Sequence, residues 1–149
     1  MSEPSNPAQS NRRRFLGTTT AAAATLGSAE LVYGDHHKGK PLRFAQIGCG
    51  GKGSSDLDST VSSGGKLIAM CDVDEGRAKG HFNKYSKVPR YTDYREMLAK
   101  HKDEIDAVVV STPDHVHAVA ALAAMKLGKH VYVQKPLART YGECMALLE

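Results

Sequence analysis

Four glycines follow a short apolar run early in the chain, and their spacing suits them to hold a phosphate. The run Leu42-Arg-Phe-Ala-Gln-Ile leads directly into Gly48-Cys-Gly50-Gly51-Lys-Gly53. Gly48 allows a tight turn, Gly50 lacks the Cβ that would block phosphates, and Gly53 lets the next helix pack against the strand. That helix directs its unpaired N–H groups and the positive end of its dipole at the anion. The pattern predicts a site for the pyrophosphate of a dinucleotide at Gly48, Gly50, Gly51 and Gly53.

A carboxylate follows the next apolar run at the distance that a bound ribose requires. Lys66-Leu-Ile-Ala-Met-Cys ends in Asp72, 24 positions after Gly48, close to the spacing of about 20 at which an acid contacts the adenosine ribose. A carboxylate accepts hydrogen bonds from the ribose hydroxyls and repels a 2′-phosphate, which favours NAD. Arg77 and Lys79 keep NADP open as an alternative. The competing interpretation is that Asp72 only ends a strand and caps the next helix.

Two later loops carry further polar candidates. In Ser111-Thr112-Pro113-Asp114-His115-Val116-His117, the proline ends the preceding strand because it fixes φ and restricts Thr112. His115 and His117 lie two positions apart, so they share no helix face, and no third ligand is near; no metal site is predicted. Instead, Asp114 is expected to cap the helix while a histidine packs near the nicotinamide.

Lys135 follows the last predicted strand and precedes a proline. A lysine held at such a strand end can polarise a reacting hydroxyl or carbonyl oxygen. The same position also suits a lysine that reaches solvent or pairs with a nearby carboxylate. Both interpretations stay open on position alone.

These loops require parallel strands joined through helices. From residue 41 the chain alternates apolar, strand-like runs with helix-like segments, which predicts an α/β Rossmann domain with a doubly wound parallel sheet. Strands are predicted at 42–48, 66–71, 88–91, 106–111 and 130–134, and helices at 53–62, 75–84, 93–100, 115–127 and 140–149. The strand-to-helix loops would then meet at one edge of the sheet.

The first forty residues have a different composition. Arg12-Arg13-Arg14-Phe15-Leu16 precedes a short run of Ala and Thr, which predicts a twin-arginine-type signal peptide over 1–29, a polar linker over 30–40 and export to the periplasm. The run is too short to span a bilayer, so membrane contact is expected only through the signal. A basic arm and an amphipathic surface helix are the alternatives. Three arginines without interleaved aromatic residues do not predict a nucleic-acid partner.

Five motifs together resemble one family. They are Gly48-x-Gly50-x-x-Gly53, Cys71-Asp72-Val73-Asp74, Ser111-Thr112-Pro113 with His115 and His117, Gly128-Lys129-His130-Val131 and Lys135-Pro136-Leu137. In order and spacing, residues 41–149 resemble the nucleotide-binding domain of the Gfo/Idh/MocA oxidoreductases, which oxidise a secondary alcohol of a sugar or cyclitol. The resemblance implies that NAD or NADP is bound at the glycines and Asp72. It also implies that Thr112, Pro113 and His117 lie along the nicotinamide half, and that Lys135 helps bind substrate and transfer a proton.

The chain departs from that family in two places. The family usually has Glu-Lys-Pro where this chain has Gln134-Lys135-Pro136; Gln134 can still hydrogen-bond the lysine or the ribose but brings no negative charge. Family members also carry a C-terminal domain that holds the substrate, supplies the main base and forms an oligomer interface, whereas this sequence stops at Glu149.

The sequence therefore predicts the NAD(P)-binding domain of an exported oxidoreductase, truncated before its substrate domain. We expect this chain to bind nucleotide without turning over sugar, and the complete protein to form a homo-oligomer. An NAD-dependent glycoside hydrolase of the same fold and a non-catalytic nucleotide-binding module are the alternatives.

Overall fold

The computed structural model describes residues 39–149, in which strands and helices alternate. The strands are β1 (Arg43–Ile47), β2 (Lys66–Cys71), β3 (Arg90–Tyr91), β4 (Ala107–Val110) and β5 (His130–Val133). The helices are α1 (Lys52–Ser62), α2 (Glu75–Lys84), α3 (Tyr94–His101), α4 (Asp114–Met125) and α5 (Tyr141–Ala146). The predicted signal peptide lies outside the described residues, and the predicted domain boundaries stay predictions.

The five strands form one parallel sheet in the order β3-β2-β1-β4-β5. Central strand β1 pairs with β2 through Gln46 and Met70, and with β4 through Gln46 and Val109. This confirms the predicted α/β Rossmann fold. Because all five strands are parallel, their carboxyl ends lie at one edge, where ligands of such sheets bind.

The central strands are buried on both faces, as their apolar sequences predict. Ala45 and Val108 pack on one face with Met97 of α3, whereas Leu57 of α1 and Met70 pack on the other. Burying each of the larger side chains contributes on the order of 1.5–3 kcal/mol. The core thus holds α1 close to the sheet edge at which β1 ends.

Polar caps fix where several helices begin. Asp74 caps α2 by accepting a hydrogen bond from the N–H of Arg77 at 3.0 Å. Thr140 and Glu143 form a reciprocal capping box on α5, which ends earlier than predicted. The expectation that Asp114 caps α4 is wrong, because Pro113 occupies the cap position and Asp114 is the first helical residue. None of the helices in residues 39–149 has the length and apolar character needed to cross a membrane.

Candidate functional site

The turn after β1 depends on glycine at three positions. Gly48 has φ +86° and Gly51 has φ +56°, both in the left-handed region. A Cβ on Gly48 would lie 2.5 Å from the carbonyl oxygen of Ser111, and a Cβ on Gly53 would lie 2.2 Å from that of Gly48. Only glycine therefore lets α1 start this close to the ends of β1 and β4.

Gly50 has a second packing partner besides the expected phosphate. A Cβ at this position would lie 3.0 Å from Cβ of Arg77 and 3.1 Å from its carbonyl oxygen. The glycine turn is thus pressed against the first turn of α2. The same contact brings Arg77 to the border of the site.

Asp72 holds the glycine turn from the neighbouring strand. Its Oδ2 accepts hydrogen bonds from the N–H groups of Cys49 at 2.7 Å and Gly50 at 3.1 Å, and its Oδ1 accepts one from Asp74 at 2.9 Å. The interpretation of Asp72 as a helix cap is wrong, because Asp74 caps α2. The carboxylate therefore links the ends of β1 and β2.

A cleft of about 630 Å³ opens at this edge of the sheet, within the size range of cofactor pockets. Of the predicted residues, Gly48, Gly50, Gly51, Asp72, Thr112 and Pro113 line it. Gly53 packs beneath it, against Gly48. Arg77 also lines the cleft, whereas Lys79 borders a separate surface depression with Glu75.

The cleft presents polar groups that have no partner among residues 39–149. The N–H groups of Gly51 and Lys52, at the N-terminus of α1, find no acceptor in this part of the chain. The hydroxyl oxygen of Thr112 is buried without a hydrogen bond there. Free N–H groups at a helix N-terminus suit a pyrophosphate, so the residues present fit a bound dinucleotide.

His117 is buried next to Thr112 and does not line the cleft. Only 1% of the residue is exposed, with Nδ1 2.7 Å from the carbonyl oxygen of Pro136 and Nε2 2.8 Å from that of Thr112. Each ring nitrogen of His117 lies within hydrogen-bond distance of a backbone carbonyl oxygen. His117 thus ties together the loops after β4 and β5, and its contact with a cofactor stays a prediction.

The two histidines of this loop have different surroundings. His115 is exposed and lines the cleft, whereas His117 is buried. In residues 39–149, no three His, Cys, Asp or Glu side chains lie together in a way that would hold a metal ion. His115 also lines a second depression with Asp114 and Arg139.

Gln134 and Lys135 follow β5 and lie outside the lining of the cleft. The side-chain Nε2 of Gln134 donates to Oδ2 of Asp56 at 2.9 Å, and its Oε1 accepts from the backbone N–H of Lys135 at 2.8 Å. The side chain of Lys135 is exposed. Their predicted roles, in cofactor binding and in catalysis, stay predictions.

Sequence analysis overlooked Asp56. This carboxylate of α1 is 8% exposed, pairs with Lys52, and accepts a hydrogen bond from Oγ of Ser111 at 2.8 Å. One signal could have indicated its burial: Asp56 lies three positions after Gly53, so the two share the helix face that must pack on the sheet. The buried residues of α1 are indeed Gly53, Asp56 and Leu57.

Residues 42–149 match the family model described as "Oxidoreductase family, NAD-binding Rossmann fold", GFO_IDH_MocA. The inositol 2-dehydrogenase of Salmonella typhimurium is 31% identical over 111 residues, which are 72% of this chain and 32% of that protein. A glycosyl hydrolase family 109 protein of Shewanella baltica is 32% identical over 168 aligned positions, covering 93% of this chain and 36% of that protein. The chain thus spans about a third of the length of the curated relatives it matches.

Solved structures agree with the sequence matches. The myo-inositol 2-dehydrogenase of Lactobacillus plantarum superposes with a TM-score of 0.65 at 30% identity, covering 73% of this chain and 32% of that one. The myo-inositol dehydrogenase of Lactobacillus casei, solved with NAD(H) and myo-inositol, has the same fold at a TM-score of 0.66 and 24% identity. The cofactor of this domain is NAD. The chain belongs to the Gfo/Idh/MocA family of oxidoreductases.

Proposed function

We propose that residues 41–149 are the NAD-binding domain of an oxidoreductase that acts on a secondary alcohol of a cyclitol or sugar. One observation carries the proposal. The cleft at the sheet edge offers N–H groups of Gly51 and Lys52 that have no acceptor in residues 39–149, and Thr112, whose buried hydroxyl has no partner in the same residues, also lines it. The inositol dehydrogenases among the relatives support cyclitols as the substrate class.

Each residue of the cleft has a distinct part in this proposal. The glycine turn and the N-terminus of α1 would hold the pyrophosphate, and Asp72 would accept hydrogen bonds from the adenosine ribose. Thr112 and Pro113 would border the nicotinamide half. NAD, when bound, supplies the acceptor for a hydride from the alcohol carbon.

Lys135 would act on the substrate side. Its ammonium can hydrogen-bond the alcohol oxygen, polarise it and assist removal of the hydroxyl proton. In the family that this chain resembles, the main base comes from a C-terminal substrate domain. We therefore propose that this 149-residue chain binds nucleotide and that turnover requires such a domain, which would also form the oligomer interface.

The first experiment titrates the 149-residue chain with NADH and follows the nucleotide fluorescence. Saturable binding, together with NADH formation from a cyclitol or sugar by the complete protein, is the expected result. NADH binding without turnover of any polyol would instead indicate a non-catalytic nucleotide-binding module. Absence of NADH binding would refute the proposal.

A glycoside hydrolase that uses NAD catalytically is the second candidate. The glycosyl hydrolase family 109 relatives support it, since they are 31–32% identical and their alignments cover 93% of the chain. Such an enzyme regenerates its NAD in each cycle. Cleavage of an aryl glycoside without accumulation of NADH would select this function over a dehydrogenase.

We also propose export through the twin-arginine route. The sequence Arg12-Arg13-Arg14-Phe15-Leu16 ahead of a short Ala- and Thr-rich run supports this. Replacing Arg12 and Arg13 together with lysine should leave the protein in the cytoplasm, as cell fractionation would show. Unchanged export of that variant would refute the proposal.

A further inference from the structure

The carboxylate of Asp56 joins three elements at the sheet edge. It extends from α1, one turn after the glycines, and its Oδ2 accepts hydrogen bonds from Ser111 after β4 and from Gln134 after β5. Its Oδ1 pairs with Lys52. A single buried carboxylate thus connects the start of α1 with the ends of two neighbouring strands.

Gln134 uses both ends of its side-chain amide. The Nε2 donates to Asp56 at 2.9 Å, and the Oε1 accepts from the backbone N–H of Lys135 at 2.8 Å. A glutamate in the same place could accept from Lys135, but its other oxygen would face Oδ2 of Asp56 as a second negative charge. The environment therefore specifies a group that donates on one side and accepts on the other.

We propose that Asp56 is a positioning residue for Lys135, acting through Gln134. The carboxylate orients the glutamine amide, and the amide in turn holds the backbone N–H of Lys135 at the end of β5. The inference rests on the proposed function because Lys135 is the substrate-side group of that proposal.

Burial raises the pKa of the Asp56 carboxyl, but the hydrogen bonds from Lys52, Gln134 and Ser111 outweigh it and leave the pKa below its ordinary value. The carboxyl is consequently ionised at neutral pH. An ionised Asp56 has no proton to donate, so the partner facing Oδ2 must be a donor, as the amide of Gln134 is.

The test exchanges the side-chain types of residues 56 and 134 in a double variant, Asp56→Asn with Gln134→Glu, called the swap below. Gln134→Glu places two carboxylates together. Asp56→Asn in addition restores a donor opposite an acceptor, because the asparagine Nδ2 can donate to the new glutamate while its Oδ1 still accepts from Lys52. The hydroxyl of Ser111 can rotate to accept instead of donate.

Asp58→Asn combined with Gln134→Glu is the matched control. Asp58 lies two positions further along α1, and its partners are His81 and Lys84 of α2 and Tyr85, which follows that helix. This control has the same net charge as the swap, but Asp56 and the other groups in contact with the side chain of residue 134 are unchanged.

The readout is amide hydrogen exchange of Lys135, compared with that of Gln134, whose N–H donates to the carbonyl of Val110. In Gln134→Glu, repulsion from Asp56 should turn the glutamate away and break its hydrogen bond with the Lys135 amide, whose exchange should accelerate roughly tenfold relative to the residue 134 amide, the equivalent of one hydrogen bond. The swap should restore the wild-type ratio of the two exchange rates, that of the Lys135 amide to that of the residue 134 amide, and the control should not. If Gln134→Glu does not fold, recovery of folded protein in the swap alone gives the same result.

Three results would overturn the proposal: an unchanged exchange ratio in Gln134→Glu, no recovery in the swap, or equal recovery in the Asp58→Asn control. The readout needs no nucleotide. Failure of the proposed function would appear separately, as absence of NADH binding by the wild-type chain.

Discussion

Gly53 and Gly48 contact each other through their backbones, since a Cβ on Gly53 would lie 2.2 Å from the carbonyl oxygen of Gly48. This contact sets the distance between α1 and the end of β1. It also leaves no room at position 53 even for the methyl group of alanine.

Gly53→Ala should therefore lower the free energy of unfolding by about 3 kcal/mol or more, because the added methyl meets backbone atoms that cannot rotate away. Gly80→Ala is the control: a Cβ there meets nothing within 4 Å and Gly80 lies in the exposed interior of α2. That change should stabilise the chain by about 0.5–1 kcal/mol. Urea unfolding measures both, and equal effects would contradict the close contact.

Thr112→Val should change stability and nucleotide affinity in opposite directions. The hydroxyl is buried without a partner in residues 39–149, so its removal should raise the free energy of unfolding by about 1 kcal/mol. If the hydroxyl binds the nucleotide, NADH affinity should fall roughly threefold to tenfold.

Thr60→Val is the matched change for Thr112→Val. The hydroxyl of Thr60 donates to the carbonyl of Asp56 at 2.8 Å, so its loss should cost about 1 kcal/mol. Urea unfolding and NADH titration of both variants check these signs. An unchanged NADH affinity in Thr112→Val would remove Thr112 from the binding site.

His117→Phe should destabilise the chain by about 1–3 kcal/mol, because the ring that lies between the carbonyl oxygens of Thr112 and Pro136 would no longer offer them an N–H. His115→Ala, at the neighbouring exposed histidine, should change the free energy of unfolding by less than about 0.5 kcal/mol. Thermal and urea unfolding of the two variants give the comparison. A cost below about 1 kcal/mol for His117→Phe would show that neither carbonyl depends on the ring.

Cys49 and Cys71 should resist thiol reagents in the folded chain. Burial, with a smaller effect of the Asp72 charge, raises the pKa of each thiol to about 12. A half-buried Cys144 should be labelled first. Peptide mapping after labelling in mildly alkaline buffer, with and without urea, measures this; fast native labelling of Cys49 would contradict it.

The same two thiols predict a loss of stability at alkaline pH. Their folded-state pKa lies above the ordinary value of 9.0, so the folded state favours the neutral thiol. Their contribution is complete below pH 9.0 and is lost as the pH rises toward about 12. Cys71→Ala should reduce the fall in unfolding free energy across this range, and an unchanged pH profile would contradict the assignment.

Local pattern was enough to predict the strands and most helix positions. The second strand was predicted at 66–71 and the second helix at 75–84, both as observed, because an apolar run and a capped amphipathic segment are each encoded in neighbouring residues. Gly48 and Gly53 were likewise correctly assigned to a tight turn and a close helix approach.

Contacts between distant residues could not be predicted in this way. Asp56 in a polar helix resembles a solvated carboxylate until the fold brings Ser111 and Gln134 to it, 55 and 78 positions away in the chain. A glutamate in place of Gln134 would set a second carboxylate against that of Asp56. The position of His117 between two carbonyls also depends on a loop that follows a later strand.

The strand order also determines when the cleft can form as the protein is synthesised. β1 pairs with β2, its neighbour in the chain, but its pairing with β4 joins Phe44 to Ala107 and must close a much longer loop. The part of the cleft that Asp72 lines can therefore assemble early on the ribosome. The part that Thr112 and Pro113 line cannot form until β4 has emerged, so we expect a nascent chain in which the glycine turn is present before the rest of the cleft.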